Sequence, residues 1–480
     1  MSATATGPLG SARASLAVTV SAGASDAPGL YVSPSGSDAA PGTAAAPLRT
    51  VKRATQLASP GVTIYLRGGV YTNDEYGQPW GTRTASSLAR ITASGTEAAW
   101  ITLRPHGNEY PKLISDVNGL AFANARYWIV EGLELEGTAK TLDYATAMSL
   151  WWAEDNNQIS GRGISNNSCE HMVFRRCVIH DFPGAGIGNN EADWVTSQDN
   201  VIYGNGRWTT AGTHGIANSS LATSDPATAD QEKVVMEGNL VFGNESVIIS
   251  HVFSKGEVTL VVDEGNGLHL QNNARTFFGL ARVENNVVLF NGKGGLGLNT
   301  IDGVTIRNNA FFRNARVVDT GELILQTSTA ASVVGNLFEP RPDRPIIKDS
   351  DNAYVNVGAN AATAGVGSAT LPAAVLTLPA VFAAPTALNF SPAVGVPVGM
   401  GVPASRLAAM RATVEEFGIL VQEPTTAVDA PYMEAMKATI FATWPPSRSE
   451  LVLHDKKAGR SYTYAQRCHF PGPPTTAPCP

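Results

Sequence analysis

Two similar segments of this chain carry lysine, histidine and acidic residues, and their spacing could position these side chains to transfer protons to or from a sugar. The segments are DEGNGLHLQ, residues 263–271, and NGKGGLGLN, residues 291–299, which align residue for residue. If they form neighbouring strands, four candidate groups come within roughly 5 to 10 Å of one another, given the usual strand spacing: Glu264, Asn266, His269 and Lys293. Elimination at a uronic acid needs a base at C5, a group that neutralises the carboxylate, and a proton donor for the departing oxygen.

Each candidate also has a purely structural interpretation. Lys293 becomes a base if Lys255 crowds it or burial desolvates it, and otherwise it is a solvated lysine between glycines. His269 alternates with two leucines, so we expect it to face outward, where it could donate a proton or bind substrate. His214 could act likewise or serve as a hydrogen-bonded turn residue. Asp263 and Glu264 could bind a metal such as calcium through oxygen, or cap a loop.

Two insertions predict a wall beside these groups. The segment between the repeated asparagine and the next strand is fifteen residues long after Asn200 and twenty-eight residues long after Asn239. Two adjacent repeats therefore bulge at one corner. The insertions and the strands beside them supply further candidate substrate-binding residues: Arg207, Trp208, His251, Lys255, Asn266 and Asn299. Trp208 could stack on a sugar ring or fill the core of its own loop.

The elements that must hold this chemistry repeat. NVIYGN from Asn200 returns as NLVFGN, NVVLFN and NAFFRN, each following a strand-like run. Self-similarity at roughly 22 to 25 residues, stretched by insertions, is typical of a solenoid. We expect the asparagines to form a ladder at the bends, and six side chains to point inward: Val201, Tyr203, Leu240, Phe242, Val287 and Leu289. His180 belongs to the same column and is predicted to be core.

A third short strand follows each pair, as in GIGNN, GIANSS and GLGLN. Three parallel strands per coil predict an all-β fold, a right-handed parallel β-helix, with APLRTVKRATQLASP as its N-terminal capping helix. Two amphipathic helices predict a small helical C-terminal extension. The predicted organisation is a leader or disordered N-terminus over 1–28, the capped β-helix over 29–350, an Ala/Pro/Val-rich closing segment over 351–403, and the helical extension with a disordered tail over 404–480.

YVSPSGSDAAPGTAAAPLRTVKRA followed by VTIYLRGGVY resembles the start of secreted bacterial β-helix proteins, including pectate-lyase-like polysaccharide lyases of the family-9 type. The resemblance covers roughly residues 30 to 340 in pattern. It implies a secreted or cell-surface lyase, a calcium ion (Ca2+) and a lysine base. Asn266 and Gln271 stand where the family has Asp and Lys, and Lys293 and Gly294 where it has an Asp pair. The calcium-binding residues of the family are therefore not all present at the matching positions of this sequence.

Composition limits the partners. The net charge of -7, the pI near 5.7 and the lack of a long basic run argue against nucleic acid. No segment is long and apolar enough for a membrane span. We expect a monomer that binds an anionic polysaccharide through local cations such as Arg275, and no disulfide between Cys169 and Cys177.

Three function classes remain open: a lyase cleaving a uronic-acid glycan by β-elimination, a glycoside hydrolase with paired carboxylates, and a non-catalytic carbohydrate-binding adhesin. The hydrolase would need two acidic residues across the scissile bond, chosen from Asp263, Glu264, Asp302, Asp319 and Glu322. The products separate the three. A lyase yields an unsaturated sugar end, a hydrolase yields only a new reducing end, and a binder yields neither.

Overall fold

Stacked parallel strands make up most of the computed structural model. It describes residues 27–469, except 153–156, 210–212, 224, 250–256, 273–274, 329–330, 351–354, 365–374, 388 and 456–457. It also describes an antiparallel strand pair, Ser2–Gly7 with Gly10–Ser15. His251 and Lys255, two of the predicted substrate-binding residues, lie outside the described residues.

Three parallel sheets run the length of this region, and they confirm the predicted β-helix with three-strand coils. Sheet 1 contains Leu30–Val32, Thr63–Leu66, Ile101–Pro105, Arg126–Glu131, Glu170–Arg175, Asp193–Gln198, Glu232–Glu237, Leu280–Glu284, Val304–Arg307, Ala331–Val334 and Val355–Val357. Sheet 2 contains Gly69–Thr72, Pro111–Ser115, Glu134–Gly137, Val178–His180, Val201–Tyr203, Leu240–Phe242, Val287–Leu289, Ala310–Phe312, Leu337–Glu339, Asn360–Thr363 and Val375–Leu378. Sheet 3 contains Ser87–Ile91, Asn118–Ala123, Ile164–Asn167, Ile187–Asn190, Ile216–Ser219, Asn266–Gln271, Gly294–Asn299, Leu323–Gln326 and Ile347–Ser350. The stacked strands thus continue to Leu378, beyond the boundary at residue 350 that the sequence predicts.

The side-chain direction predicted for sheet 2 is wrong. The inward column is the middle residue of each strand, including Ile202, Val241 and Val288, which belong to the main core. The six side chains expected inside are instead on the outer face, buried or partly buried beneath the C-terminal extension. The asparagine before each strand takes the inward position after a residue in the left-handed conformation, such as Asp199 with φ 55°. Alternation then turns the next residue outward.

Two asparagine ladders confirm the predicted role of the repeated Asn. In each ladder, the side-chain N–H of one Asn donates to the side-chain oxygen of the Asn in the next coil. The side-chain oxygen of the same Asn accepts a hydrogen bond from the Asn in the preceding coil. The first ladder runs through Asn200, Asn239, Asn286, Asn309, Asn336 and Asn360. The second runs through Asn205, Asn244, Asn291 and Asn314. Because these amides are buried and paired, they hold the bends and cannot bind a glycan.

Glycines at the start of the sheet 3 strands make room for the second ladder. A Cβ on Gly215 would come within 2.9 Å of Asn244 Nδ2, and one on Gly267 within 2.7 Å of Asn291 Nδ2. In the coil where this ladder ends, Glu322 stands in the glycine position. Its carboxylate accepts from the backbone N–H of Asn314 at 3.0 Å and from its side-chain amide at 2.6 Å. Glu322 is therefore the last rung of the ladder.

Helices close the N-terminal end and build the corner wall. They are α1 (Val51–Gln56), α2 (Tyr144–Trp151), α3 (Asn157–Ser160), α4 (Ala404–Glu416) and α5 (Ala430–Thr443), with 3-10 turns at Ala139–Thr141, Pro226–Thr228, Pro385–Ala387, Pro446–Arg448 and Tyr464–His469. α1 begins at its N-cap Thr50, whose side chain accepts from Arg53 N–H, and it packs on strands of sheets 1 and 3 as the predicted cap. No helix in the described part of the chain has the length and apolar composition of a membrane span.

The C-terminal extension covers sheet 2 and supports the wall. Strands Phe382–Ala384 and Asn389–Pro392 pair antiparallel before α4, which packs on sheet 2. Beyond α5, Val452–Asp455 pairs with Arg460–Thr463 and also with Glu257–Thr259 of the long insertion. The extension therefore contains strands as well as the predicted helices, and it is joined to the insertion that borders the predicted site.

Candidate functional site

The candidate site lies on the outer face of sheet 3, where this sheet meets the corner wall. Leu268 and Leu270 point into the core with no exposed surface, so His269 between them points outward. The residue just before the bend glycine also points outward. In successive coils this position holds Arg162, Ala185, His214, Asn266 and Gly294.

The fold brings together four nitrogen-bearing side chains on this face: Arg162, His214, His269 and Lys293, called here the basic cluster. The imidazoles of His214 and His269 lie 4.1 Å apart between ring centroids. Asn266 donates its backbone N–H to His214 Nδ1 at 3.1 Å, so the proton of neutral His214 resides on Nε2. That nitrogen lies 3.5 Å from Glu264 Oε2.

Burial sets the charge of the two imidazoles and of Glu264. The pKa of His269 is lowered to about 3 by burial and by the nearby charge of Lys293. Burial lowers the pKa of His214 well below its usual value, assisted by the charges of Lys293 and Arg162. Both rings are neutral near pH 7. Burial raises the pKa of Glu264 to about 7, so this carboxyl titrates in the neutral range, where general acids and bases work best.

Lys293 reaches back to the preceding coil. Its ammonium donates to the Asp263 backbone oxygen and contacts Asp263 Oδ1, both at 2.9 Å. It is partly exposed, and so is Asp263. Lys293 is therefore held in place by two contacts with the preceding coil.

A row of polar side chains lies beside the basic cluster and forms a partly exposed edge along sheet 3. This polar row contains Asn167, Asn190, Ser219, Gln271 and Asn299, on successive coils. Each offers a hydrogen-bond donor and acceptor suited to sugar hydroxyls. Asn299, a predicted substrate-binding residue, belongs to it, whereas Asn266 is buried behind it.

Two other predicted substrate-binding residues lie elsewhere. Trp208 is buried in the core of the wall and donates its indole N–H to Ala139 O at 2.8 Å, so its ring faces are not open to a sugar. Arg207 approaches Glu245 and donates to the hydroxyl of Thr426. Both residues line a cleft on the sheet 2 side of the wall. His180 is buried and stacks on Tyr203 in the outer column of sheet 2, not in the central core.

The residues predicted to bind calcium do not fit that ion. Calcium takes six to eight oxygen ligands. The carboxylate of Asp263 contacts an ammonium, and Glu264 is partly buried beside an imidazole, with its pKa raised by this burial. A separate acidic group, Glu134, Glu136 and His180, lies on sheet 2, but Lys112 forms ion pairs with both of its carboxylates.

Arg162 is not among the residues that the sequence motifs indicated. The segment GRGISNN aligns with GTHGIANSS on the bend glycine, which places Arg162 and His214 in the same outward column. This column extends through all the third strands, beyond the two segments that contain Lys293 and His269.

The first half of the β-helix is similar to a known protein family. Residues 30–218 match the family model described as "Pel9A-like, right handed beta helix region". This part of the chain is thus similar to the Pel9A-like right-handed β-helices. The match includes Arg162 and His214, whereas His269 and Lys293 lie beyond it.

Individual relatives are distant. The chain is 32% identical over 178 residues to pectate lyase PEL9 of Emericella nidulans, covering 34% of this chain and 36% of that protein. It is 27% identical over 143 residues to the uncharacterized protein YwoF of Bacillus subtilis, covering 27% of each. The matches thus span about a third of these relatives. The crystal structure of pectate lyase Pel9A shares 16% identity at a TM-score of 0.38, covering 71% of this chain and 81% of that one.

Proposed function

We propose that the protein is an extracellular polysaccharide lyase that cleaves a uronic-acid-containing glycan by β-elimination. The observation that carries the proposal is the convergence of His214, His269, Lys293 and Glu264 beside the polar row on sheet 3. The chain as a whole carries a net charge of -7, so an anionic glycan needs local cations, which Lys293 and Arg162 supply on this face.

Two groups take part in proton transfer. Neutral His269 accepts the proton from C5 of the uronate, because the carboxylate of the bound uronate places a negative charge beside the imidazole and raises its pKa above the value of about 3 in the free site. The electron pair of that C–H bond forms the C4–C5 double bond as the C4–O bond breaks. The ammonium of Lys293 gives a proton to the departing oxygen, and no water is consumed. The polar row binds the hydroxyls of the flanking sugars.

The test compares the parent with Lys293→Ala and His269→Ala on a uronate polymer that the parent cleaves. We expect the ultraviolet-absorbing unsaturated product from the parent and a loss of roughly 10²-fold or more in kcat for each variant. Asn108→Ala, in the exposed turn between the sheet 1 strand Ile101–Pro105 and the sheet 2 strand Pro111–Ser115, serves as the folding-matched control. Full activity in both folded variants would place the chemistry elsewhere.

The glycoside hydrolase is the second candidate, and several of its carboxylates have other contacts. Glu322 ends an asparagine ladder, Asp263 contacts Lys293, and Asp319 pairs with Arg344. Glu264 and Glu322 both have raised pKa values, but Glu322 is buried as the last rung of the ladder, so Glu264 is the candidate general acid. A new reducing end without ultraviolet absorbance would favour this candidate, and binding without any product would favour an adhesin.

A further inference from the structure

The last strand of sheet 2, Val375–Leu378, has a neighbouring strand on one side only among the residues that the structure describes. That neighbour is Asn360–Thr363, and Ala364 just beyond it donates its N–H to Leu378 O at 2.6 Å. Because the backbone groups of successive residues in a strand point to opposite sides, the N–H and C=O of Thr377 face the open side. An open strand edge is a template for pairing with another strand.

The segment that forms this edge carries no charged side chain. The chain has no Asp, Glu, Lys, Arg or His between Asp351 and Arg406. The edge strand itself has the sequence VLTL, which contains neither a charge nor proline, and Leu376 on it is exposed. Edge strands that must stay unpaired are usually guarded by charged side chains or by proline. This strand lacks both guards.

A loop beside the edge presents two apolar side chains to solvent. A Cβ on Gly395 would lie 4.0 Å from Leu378 Cδ2, so the loop lies against the edge strand. Val394 and Val398 are fully exposed, whereas Val396 between them packs on the buried residues of the C-terminal extension. The loop is therefore held in place while it displays its valines. Exposed apolar surface of this kind marks a site of association with another macromolecule.

The opposite end of sheet 2 is guarded. Its terminal strand, Gly69–Thr72, borders a cleft that Arg49, Lys52 and Asp74 also line. Lys52 and Asp74 form an ion pair at 2.7 Å, and α1 closes this end of the β-helix. The guarded end disfavours head-to-tail stacking of copies into a filament. Contact between two C-terminal ends remains, and such a contact closes after two copies.

The open edge is complementary to itself. Two identical strands related by a twofold axis run antiparallel, so each Thr377 offers a donor and an acceptor to the other copy. Each chain carries a net charge of -7, so two copies repel each other least where they meet without charged side chains. The edge strand and the adjacent loop meet both conditions.

We propose that the protein forms a twofold dimer through its C-terminal end, in which the two Val375–Leu378 edges pair antiparallel and the loops carrying Val394 and Val398 pack around the joint. A dimer would replace the monomer that we expect from the sequence. No residue of the basic cluster takes part, so the inference is independent of the proposed lyase function.

The experiment measures the mass of the full chain by sedimentation equilibrium at micromolar concentrations. We expect the parent to have about twice the 50.3 kDa of one chain. Val398→Glu places like charges near the twofold joint and should raise the dissociation constant of the dimer roughly 10-fold or more. Thr377→Pro removes the outward N–H and should weaken the dimer in the same way. Val70→Glu, the same change at an exposed valine on the guarded end of sheet 2, should leave the dimer intact.

Hydrogen exchange gives a second readout. Exchange of the backbone N–H groups of residues 375–378 should slow as the concentration of the parent rises, and it should not slow for Val398→Glu. A monomeric parent would overturn the inference, and so would a dimer that either folded variant leaves unchanged. An assembly that grows without limit would also contradict it, because a twofold contact closes.

Two further outcomes are decisive. If Thr377→Pro does not fold, Val398→Glu carries the test, because its side chain is fully exposed in the parent. Flotation of a monomeric parent with phosphatidylcholine vesicles, lost in Val398→Glu, would assign the apolar loop to a lipid surface and overturn the dimer.

Discussion

His214 and His269 lie with their ring centroids 4.1 Å apart, on adjacent coils of the β-helix, and each faces a different polar partner. His214 faces Glu264, and His269 Nδ1 lies 3.4 Å from the side-chain amide of Asn266. Since both imidazoles are neutral near pH 7, the titrating group of this pair of coils is the carboxyl of Glu264.

Affinity for a polyuronate should therefore fall as the pH rises through about 7. The pKa of Glu264 is raised to about 7, so the group is neutral below this pH and adds a negative charge above it. Glu264→Gln should remove this decline. The measurement is the Kd of a uronate oligomer between about pH 5.5 and 8.5. An unchanged decline in the variant would assign the titration to another group.

Activity should persist in the presence of a calcium chelator. The carboxylates beside the basic cluster contact Lys293 or face His214, which leaves too few free oxygens for that ion. Cleavage of the polymer should be equal with and without excess chelator, followed by ultraviolet absorbance. Loss of activity that returns on adding calcium would contradict this prediction.

Periodic features of the fold are predictable from the sequence, because each coil repeats the same physical requirements. The NVIYGN repeats predicted the coils and the Asn ladder, and the segments containing His269 and Lys293 predicted a shared site. The direction of Val201 was not predictable from alternation alone, since it depends on the left-handed residue before the strand. Nor was the burial of Trp208, because its neighbours in the wall come from distant parts of the chain.

The C-terminal extension should stabilise the wall that borders the site. Ile440 of α5 is fully buried in the wall cluster, and nearby Tyr432 donates its hydroxyl to Val247 O at 2.6 Å. Ile440→Ala should lower the free energy of unfolding by about 2 to 5 kcal/mol when the wall and the β-helix unfold together. Leu420→Ala, at a residue that is 70% exposed on the same extension, is the control. Equal stability of the two variants by chemical denaturation would show that α5 contributes little.

A substitution in the middle of the first asparagine ladder should destabilise the folded protein. Asn286 Oδ1 accepts from Asn239, and its amide donates to Asn309 and to Met236 O. Asn286→Ala leaves these buried groups unpaired, at about 1 to 3 kcal/mol for each group that water cannot reach. We expect a clear loss of Tm, whereas Gln326→Ala on the exposed end of a strand should leave Tm nearly unchanged.

Glu322 should make stability depend on pH. Burial raises its pKa to about 8 from an ordinary value of 4.5, so the folded chain keeps a proton that the unfolded chain releases between these values. The stabilising contribution of Glu322 to the free energy of unfolding is fully present below about pH 4.5, and it is lost as the pH rises from there through about 8. Glu322→Gln loses one hydrogen bond to Asn314, at about 1 kcal/mol, but its Tm should fall less than that of the parent between about pH 5 and 9. Glu450→Gln, at an exposed carboxylate, should keep the slope of the parent. Parallel Tm curves for Glu322→Gln and the parent would show that Glu322 is already ionised in the folded protein at pH 5.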